Sequence, residues 1–533
     1  MTIDRTTRTS GVILHVTSLP GPYGIGDLGA EARRFVDWLV EAEQGLWQVL
    51  PLHPPEQKWF SPYAAFSAFA LNPWLLSLDR LVELGWLEAE QVASAPEFPA
   101  ERVDFRRMAA FKWPLLVRAA ERFEQVADDA TLDAFRRFCA ESAAWLDDYA
   151  LFMALLERYD GASWNEWPAP LALRRPEALD RAREELAATL QVHRILQFEL
   201  DRQWRALRAY ANERGVRLLG DIPIYVAHKS ADVWADPRGF SLDPKTGAMR
   251  LEAGVPADGF FSDEGQPWGM PVFNWRHQAA DGYRFWAARL RRCFALYDHL
   301  RIDHFRGFEA YWVFEHGGSA SNGQWVEGPG RHFFESMQEQ IGELPIFVED
   351  LGFITDGVHA LRRACDFPGM TVVQFGFDGT PTNPYQPHAC GDDLVMYVGS
   401  HDLPSARDWF ENAPEEVRAR FLAYLEHSEA VRVDDGISAD AGMHWQLVRL
   451  AWASAAPWAL CQLQDVLGLG AEGRMNTPGV ENLRNWSWRF TAGALDGALA
   501  RMLAGVSRAH GRTVPGREIG PSLEAPVARL ADG

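Results

Sequence analysis

Eight short apolar runs that end in Gly, Pro, Asp or His constrain this chain more than any other feature. They span 11–18, 46–52, 216–226, 299–304, 346–350, 370–375, 394–398 and 459–464, and helix-like segments such as 283–296 separate most of them. Alternating β and α elements imply a parallel sheet. Eight of them predict a closed (β/α)8 TIM barrel of the α/β class, with a doubly wound sheet as the alternative. Between the second and third runs lies a long stretch of helical periodicity, in which Leu132, Phe135 and Cys139 share one face and Trp145, Tyr149 and Phe152 another. The expected organisation is therefore barrel at 11–80, a mainly helical insertion at 81–210, and the remaining barrel with cleft loops at 211–510. A flexible tail is expected at 511–533, which is rich in Gly, Pro and Ala.

The 533 residues and the 47% hydrophobic fraction allow a large core. The net charge of −21, from 73 acidic and 52 basic residues, argues against nucleic acid or an anionic membrane surface as a partner. Cys139, Cys293, Cys365, Cys390 and Cys461 show no C-x-x-C spacing and read as reduced core thiols. The polar start and the lack of a long apolar run make the cytoplasm the expected location. Among 22 tryptophans, Trp59, Trp234, Trp268, Trp325 and Trp486 fall in loop-like Gly/Pro-rich stretches. Aromatic rings in loops suit the apolar C–H faces of sugars, although core packing is the ordinary role of Trp.

In a barrel, chemistry sits where strands end. Acidic residues occur there repeatedly: Asp221, Asp303, Glu349, Asp350, Asp402 and Asp465. Asp350 could cap the following helix, and Asp465 reads as structural. Arg301 beside Asp303 would keep that carboxylate ionised. Glu349 follows the apolar run Ile346-Phe347-Val348, so burial should raise its pKa. One ionised and one protonated carboxyl on neighbouring strands is the arrangement that cleaves glycosides. A two-metal site would bring more His, so no metal is expected. No Gly-x-Gly-x-x-Gly or phosphate loop follows a strand, so no nucleotide cofactor is expected.

An ordered set of motifs then resembles the amylomaltase, or 4-α-glucanotransferase, family. It runs from Ser18-Leu-Pro-Gly-Pro-Tyr-Gly-Ile-Gly-Asp27 through Ser61-Pro-Tyr63, Gly220-Asp-Ile-Pro223 and Gly265-Gln-Pro-Trp-Gly269. It continues with Arg301-Ile-Asp-His-Phe-Arg-Gly307, Glu349-Asp-Leu-Gly352, His401-Asp402 and Arg474-Met-Asn-Thr-Pro-Gly479. The resemblance implies a retaining double displacement on α-1,4-glucans and malto-oligosaccharides, with glucose as acceptor or product and no metal or organic cofactor. It implies Asp303 as nucleophile, Glu349 as acid/base and Asp402 as transition-state stabiliser. Arg301 and His401 would support them, Tyr63, Asp221 and Trp268 would line the cleft, and Asn476 would bind substrate.

The chain departs from the family pattern at Leu403-Pro404-Ser405, at Met270, at 53–60 and at Asn482-Leu483-Arg484. These differences bear on acceptor preference and glucan length and leave the three carboxylates intact. A retaining hydrolase of the same mechanism and a catalytically silent glucan-binding protein are the rival readings.

Overall fold

The structure, a computed structural model, describes residues 7–257, 264–438, 441–512 and 514. Most of the expected tail, 511–533, lies outside the described residues. Eight parallel strands form at the expected places: Thr9–Ile13, Leu46–Gln48, Arg217–Ile222, His299–Ile302, Ile346–Val348, Gly369–Val372, Leu394–Tyr397 and Trp458–Gln462. They are shorter than the apolar runs, because the end of each run turns into a βα loop. Each strand pairs with the next in chain order except the fifth with the sixth, and the first pairs with the eighth. The seam between the fifth and sixth is bridged by Val348 N–H donating to the Pro368 carbonyl at 2.9 Å. The result is a (β/α)8 barrel. Gly11 is required in its wall, since a Cβ there would lie 2.3 Å from the Leu46 carbonyl oxygen.

Side chains on a strand alternate between its faces. His299, Arg301 and Asp303 therefore share one face and climb the barrel interior toward its C-terminal rim. Low in the barrel, the His299 and Phe347 rings meet Trp458 edge-on at 4.8 and 6.0 Å. One layer up, Arg301 faces Asp221 across the sheet. On the outer face Trp47 is fully buried and packs edge-on against Phe35 of the helix Ala30–Glu41, 4.9 Å between ring centres. Truncating such a residue to Ala costs about 3–5 kcal/mol.

Three long helices, Phe105–Val126, Asp129–Arg158 and Ala187–Glu213, stand between the second and third strands. Asp104 and Asp128 cap the first two, accepting the Arg107 and Thr131 N–H groups at 3.1 and 2.8 Å. The third helix contacts Ala30–Glu41 and Arg284–Leu296, so it belongs to the barrel's own outer layer. Its Gln197 amide bonds both backbone groups of Leu71, at 2.8 and 2.7 Å, and so fastens the long loop that carries Tyr63.

A four-stranded antiparallel sheet, absent from the sequence reading, stands over the rim. Its order is Gln266–Pro271, Leu251–Val255, Ala310–Glu315, Gln324–Glu327. Trp268 and Trp325 sit on these strands rather than in loops. Gly254 and the Gly265–Gly269 stretch disguise the strand pattern, and a register shift at Ala253/Gly254 interrupts it. Among the described residues no helix is long and apolar enough to cross a membrane.

Candidate active site

A cleft of about 1150 Å³ opens at the C-terminal rim. Pockets for single small ligands run to about 300–1,000 Å³, so this one has room for several sugar rings. Asp303, Glu349, Asp402, Arg301, Tyr63, Trp268 and Asn476 all line it. Trp59, Trp325 and Trp486 line it as well. Trp234, the remaining tryptophan read as loop-borne, does not. It is fully buried under the Arg174 guanidinium, 4.3 Å from its ring centre, and serves as a core anchor.

The register explains why Asp303 and Glu349 meet. Ile302 is paired with Val348, so the next residue on each strand leaves the sheet at the same level. His304, at φ +52°, turns the chain sharply after Asp303. Its N–H donates to Glu349 Oε2 at 2.8 Å, and the Leu351 N–H donates to Oε1 at 2.7 Å. The Glu349 carboxyl is thus held by two backbone N–H groups, one from the Asp303 loop and one from its own.

Arg301 lies beneath both and is itself held. Its Nη1 donates to the two Asp221 oxygens at 2.9 and 2.7 Å, and its Nη2 pairs with Asp303 Oδ1 at 2.9 Å. The Tyr63 hydroxyl donates to Asp221 Oδ2 at 2.9 Å. Asp221 has no exposed surface. The expectation that it lines the cleft is therefore not met: it orients Arg301 from behind, because a strand-end residue on the inner face points into the barrel mouth. His401, 3% exposed, is likewise buried behind the surface. Its Nε2 lies 2.9 Å from the Tyr63 hydroxyl and 3.3 Å from Asp402 Oδ2.

Asp402 is fixed at both ends by the motif that follows the eighth strand. The Asn476 amide donates to its Oδ1 at 2.6 Å, and Arg474 donates to its carbonyl at 2.8 Å. The family departure after Asp402 builds a helix start, where Ser405 Oγ accepts the Asp408 N–H at 3.3 Å and caps Ala406–Asn412. The departure at 482–484 is braced by Asn482, whose side chain accepts the Arg484 and Asn485 N–H groups at 2.7 and 2.9 Å.

These surroundings set three different acidities. Burial pushes Glu349 up to about 8, with the Asp303 charge adding to it. Burial also pushes Asp303 up, to about 6, against the opposing pull of Arg301. Arg301 opposes burial without cancelling it, and the Asp221 and Asp402 charges add to the rise. A quarter of the Asp303 side chain, 26%, still meets cleft water, which favours its ionised form. Burial would raise Asp402 too, but His401, the Asn476 amide and Arg301 outweigh it and bring it down to about 2. The order Asp402, Asp303, Glu349 gives two carboxylates and one carboxylic acid near neutrality.

Asp465 and Asp350 have other duties. Asp465, with no exposed surface, accepts the Ala406 and Gln462 N–H groups at 2.6 and 2.9 Å. Asp350 does not cap the next helix, whose cap is Thr355. It accepts the Met370 N–H at 2.7 Å and pairs with Arg362 at 3.2 Å, closing the barrel seam. Among the described residues, Asp236, His277 and Asp281 bring ligand-type atoms within 4.8 Å of one another, and none of them lines the cleft. Two cleft contacts were invisible in sequence. The Gly269 N–H, set at φ +68°, donates to Glu252 at 2.7 Å, and the Trp268 ring meets His304 edge-on at 4.8 Å.

A (β/α)8 barrel whose strand ends bring an acid and a carboxylate together in a long aromatic cleft defines a carbohydrate-active barrel enzyme. The chain belongs to the 4-alpha-glucanotransferase family, whose model matches residues 14–495, and its activity is 4-α-glucan transfer. It is 43% identical over 510 residues to the 4-alpha-glucanotransferase of Synechocystis sp., spanning 95% of this chain and 98% of that one. It is 43% identical over 505 residues to the Thermus thermophilus enzyme, spanning 93% and 98%. The amylomaltase of Streptococcus agalactiae, solved in complex with acarbose, superposes with a TM-score of 0.89 at 33% identity, covering 95% of this chain and all of that one.

Proposed function

We propose that the chain disproportionates α-1,4-glucans by a retaining double displacement, with Asp303 as nucleophile and Glu349 as acid/base. The observation that carries this reading is the unequal pair at adjoining strand ends, Glu349 pushed up to about 8 and Asp303 to about 6. In the first half-reaction an Asp303 oxygen attacks C1 of the donor glucosyl unit. The C1–O4 bond breaks, and the Glu349 proton passes to the leaving oxygen. In the second half, Glu349 takes the proton of an acceptor 4-hydroxyl, that oxygen attacks C1, and Asp303 leaves. Two inversions give retention. Atoms and electrons balance between donor and acceptor, so no co-reactant is consumed.

Asp402, kept ionised by His401 and Asn476, would hold hydroxyls of the reacting sugar and stabilise the cationic transition state. Tyr63 and Trp268 would stack sugar rings, and Arg301 would set the nucleophile in line. Malto-oligosaccharides serve as donors, and glucose as acceptor or product. The acarbose bound to the S. agalactiae amylomaltase supports an oligoglucoside in this cleft. A cytoplasmic location accords with five unpaired cysteines, four of them buried.

Incubation with maltotriose tests the reading. Transfer yields a ladder of shorter and longer oligomers whose new linkages are α by NMR. Glucose and maltose alone would mean hydrolysis, and β-linked products would exclude a double displacement.

A further inference from the structure

Glu349 protonates the leaving oxygen in the reading above, so the leaving glucan, and later the acceptor, occupies the Glu349 side of Asp303. The structure can be followed outward on that side. Leu351 bonds Glu349, and two residues on, the Phe353 carbonyl accepts the Arg306 guanidinium. Arg306 is 6% exposed and is held also by the Ala310 carbonyl at 3.3 Å. Its guanidinium lies 3.6 Å from the centre of the Trp325 ring. Trp312 meets Trp325 edge-on at 5.2 Å. With a cation on one face and an indole at its edge, Trp325 is a fixed plate, yet it is 37% exposed. Phe353, 47% exposed, lines the cleft as well.

Trp325 also lines a second groove of about 360 Å³, with Glu309, Glu327 and Gly328 along it. Trp325 is the one residue that lines both the groove and the cleft. An aromatic plate flanked by carboxylates that can accept hydroxyl hydrogen bonds is chemistry suited to a neutral sugar, and the only polymer the cleft delivers to it is a glucan.

We propose that Trp325 and the groove behind it form a distal acceptor site, which stacks a glucosyl ring remote from the bond being exchanged and so favours long acceptors over glucose. This rests on the assignment of Glu349 as the acid. None of Asp303, Glu349 and Asp402 lines the groove, so loss of the plate should change which acceptor is used and leave bond exchange alone.

The test uses the full chain and a maltosyl donor with a good leaving group and a capped non-reducing 4-hydroxyl, so that the donor cannot itself accept. Acceptors run from glucose to maltohexaose. In the unaltered protein the acceptor KM should fall as the acceptor lengthens. Trp325→Ala should raise KM for maltohexaose about three- to tenfold, the loss expected of one aromatic contact, with kcat and the KM for glucose within about twofold. Trp325→Phe should keep most of the length preference, which a general loosening of the rim would not. An equal rise for glucose and maltohexaose, or no change for either, would overturn the proposal. If the unaltered protein transfers to no acceptor at all, the underlying reading fails, and this one with it.

Discussion

Two strand ends of this barrel hold a buried carboxyl in nearly the same way. At the fifth, Glu349 accepts backbone N–H groups from His304 and Leu351, at 2.8 and 2.7 Å. At the eighth, Asp465 accepts those of Ala406 and Gln462, at 2.6 and 2.9 Å. Burial pushes both up, to about 8 and about 7. Glu349 opens onto the cleft beside a second carboxylate, whereas Asp465 has no exposed surface and no charged partner among the described residues. A shifted acidity therefore does not single out a reacting group. Access to the cleft, and a second carboxylate lining it alongside, do.

Substitutions at the two ends should break this symmetry. Asp303→Ala removes the proposed nucleophile, and transfer should fall by roughly 10⁴-fold or more with little change in thermal midpoint. A loss under about tenfold would mean another group attacks C1. Asp402→Asn should cost about 10²- to 10³-fold in kcat with natural and activated donors alike, since charge at the transition state develops with either. Activity recovered with the activated donor alone would move Asp402 from stabiliser to proton donor.

The pair should also show in pH dependence. Asp303 must be ionised, so kcat/KM falls as pH drops through about 6. Glu349 must be protonated, so it falls as pH rises through about 8. Each limb should change about tenfold per pH unit, with the apparent values belonging to the coupled pair. In Asp303→Asn the residual alkaline limb should move down, because the Asp303 charge no longer raises Glu349. A limb that stays in place would deny the coupling.

The smallest kinetic effect belongs to the eighth strand. Asp465→Asn should leave kcat/KM within about threefold, while weakened anchoring of Ala406 and Gln462 costs about 1–3 kcal/mol of stability, read by denaturant unfolding. A large rate loss in a stably folded variant would bring Asp465 into the site.

The legibility of the sequence follows the same division. Eight strands were readable because parallel barrel strands are buried on both faces and appear as short apolar runs. Asp303 and Glu349 were readable because they end two such runs, and the local context of Glu349 also pointed to its raised pKa. Asp221 misled, since sequence places a residue at a strand end without saying whether it faces substrate or frame. Arg301 adjoins Asp303 in sequence, but what opposes it, burial and the charge of Asp221, comes from the fold, and Asp221 lies 80 residues from Arg301. The small sheet over the cleft was hidden by its glycines and prolines, and with it the strand setting of Trp268 and Trp325. Loop-like composition marked Trp59 and Trp486, which line the cleft, and failed at Trp234, which is fully buried.

The division of labour between Asp303 and Glu349 is tested most directly by trapping. Glu349→Gln should be nearly inactive on malto-oligosaccharides, whose leaving group needs a proton. With α-glucosyl fluoride the first step needs little protonation, and the second then stalls for want of a base. Intact-protein mass spectrometry should show one added glucosyl unit, and peptide mapping should place it on Asp303. An adduct on Asp402 or Asp221, or fluoride released with no adduct and inversion at C1, would contradict the assignment.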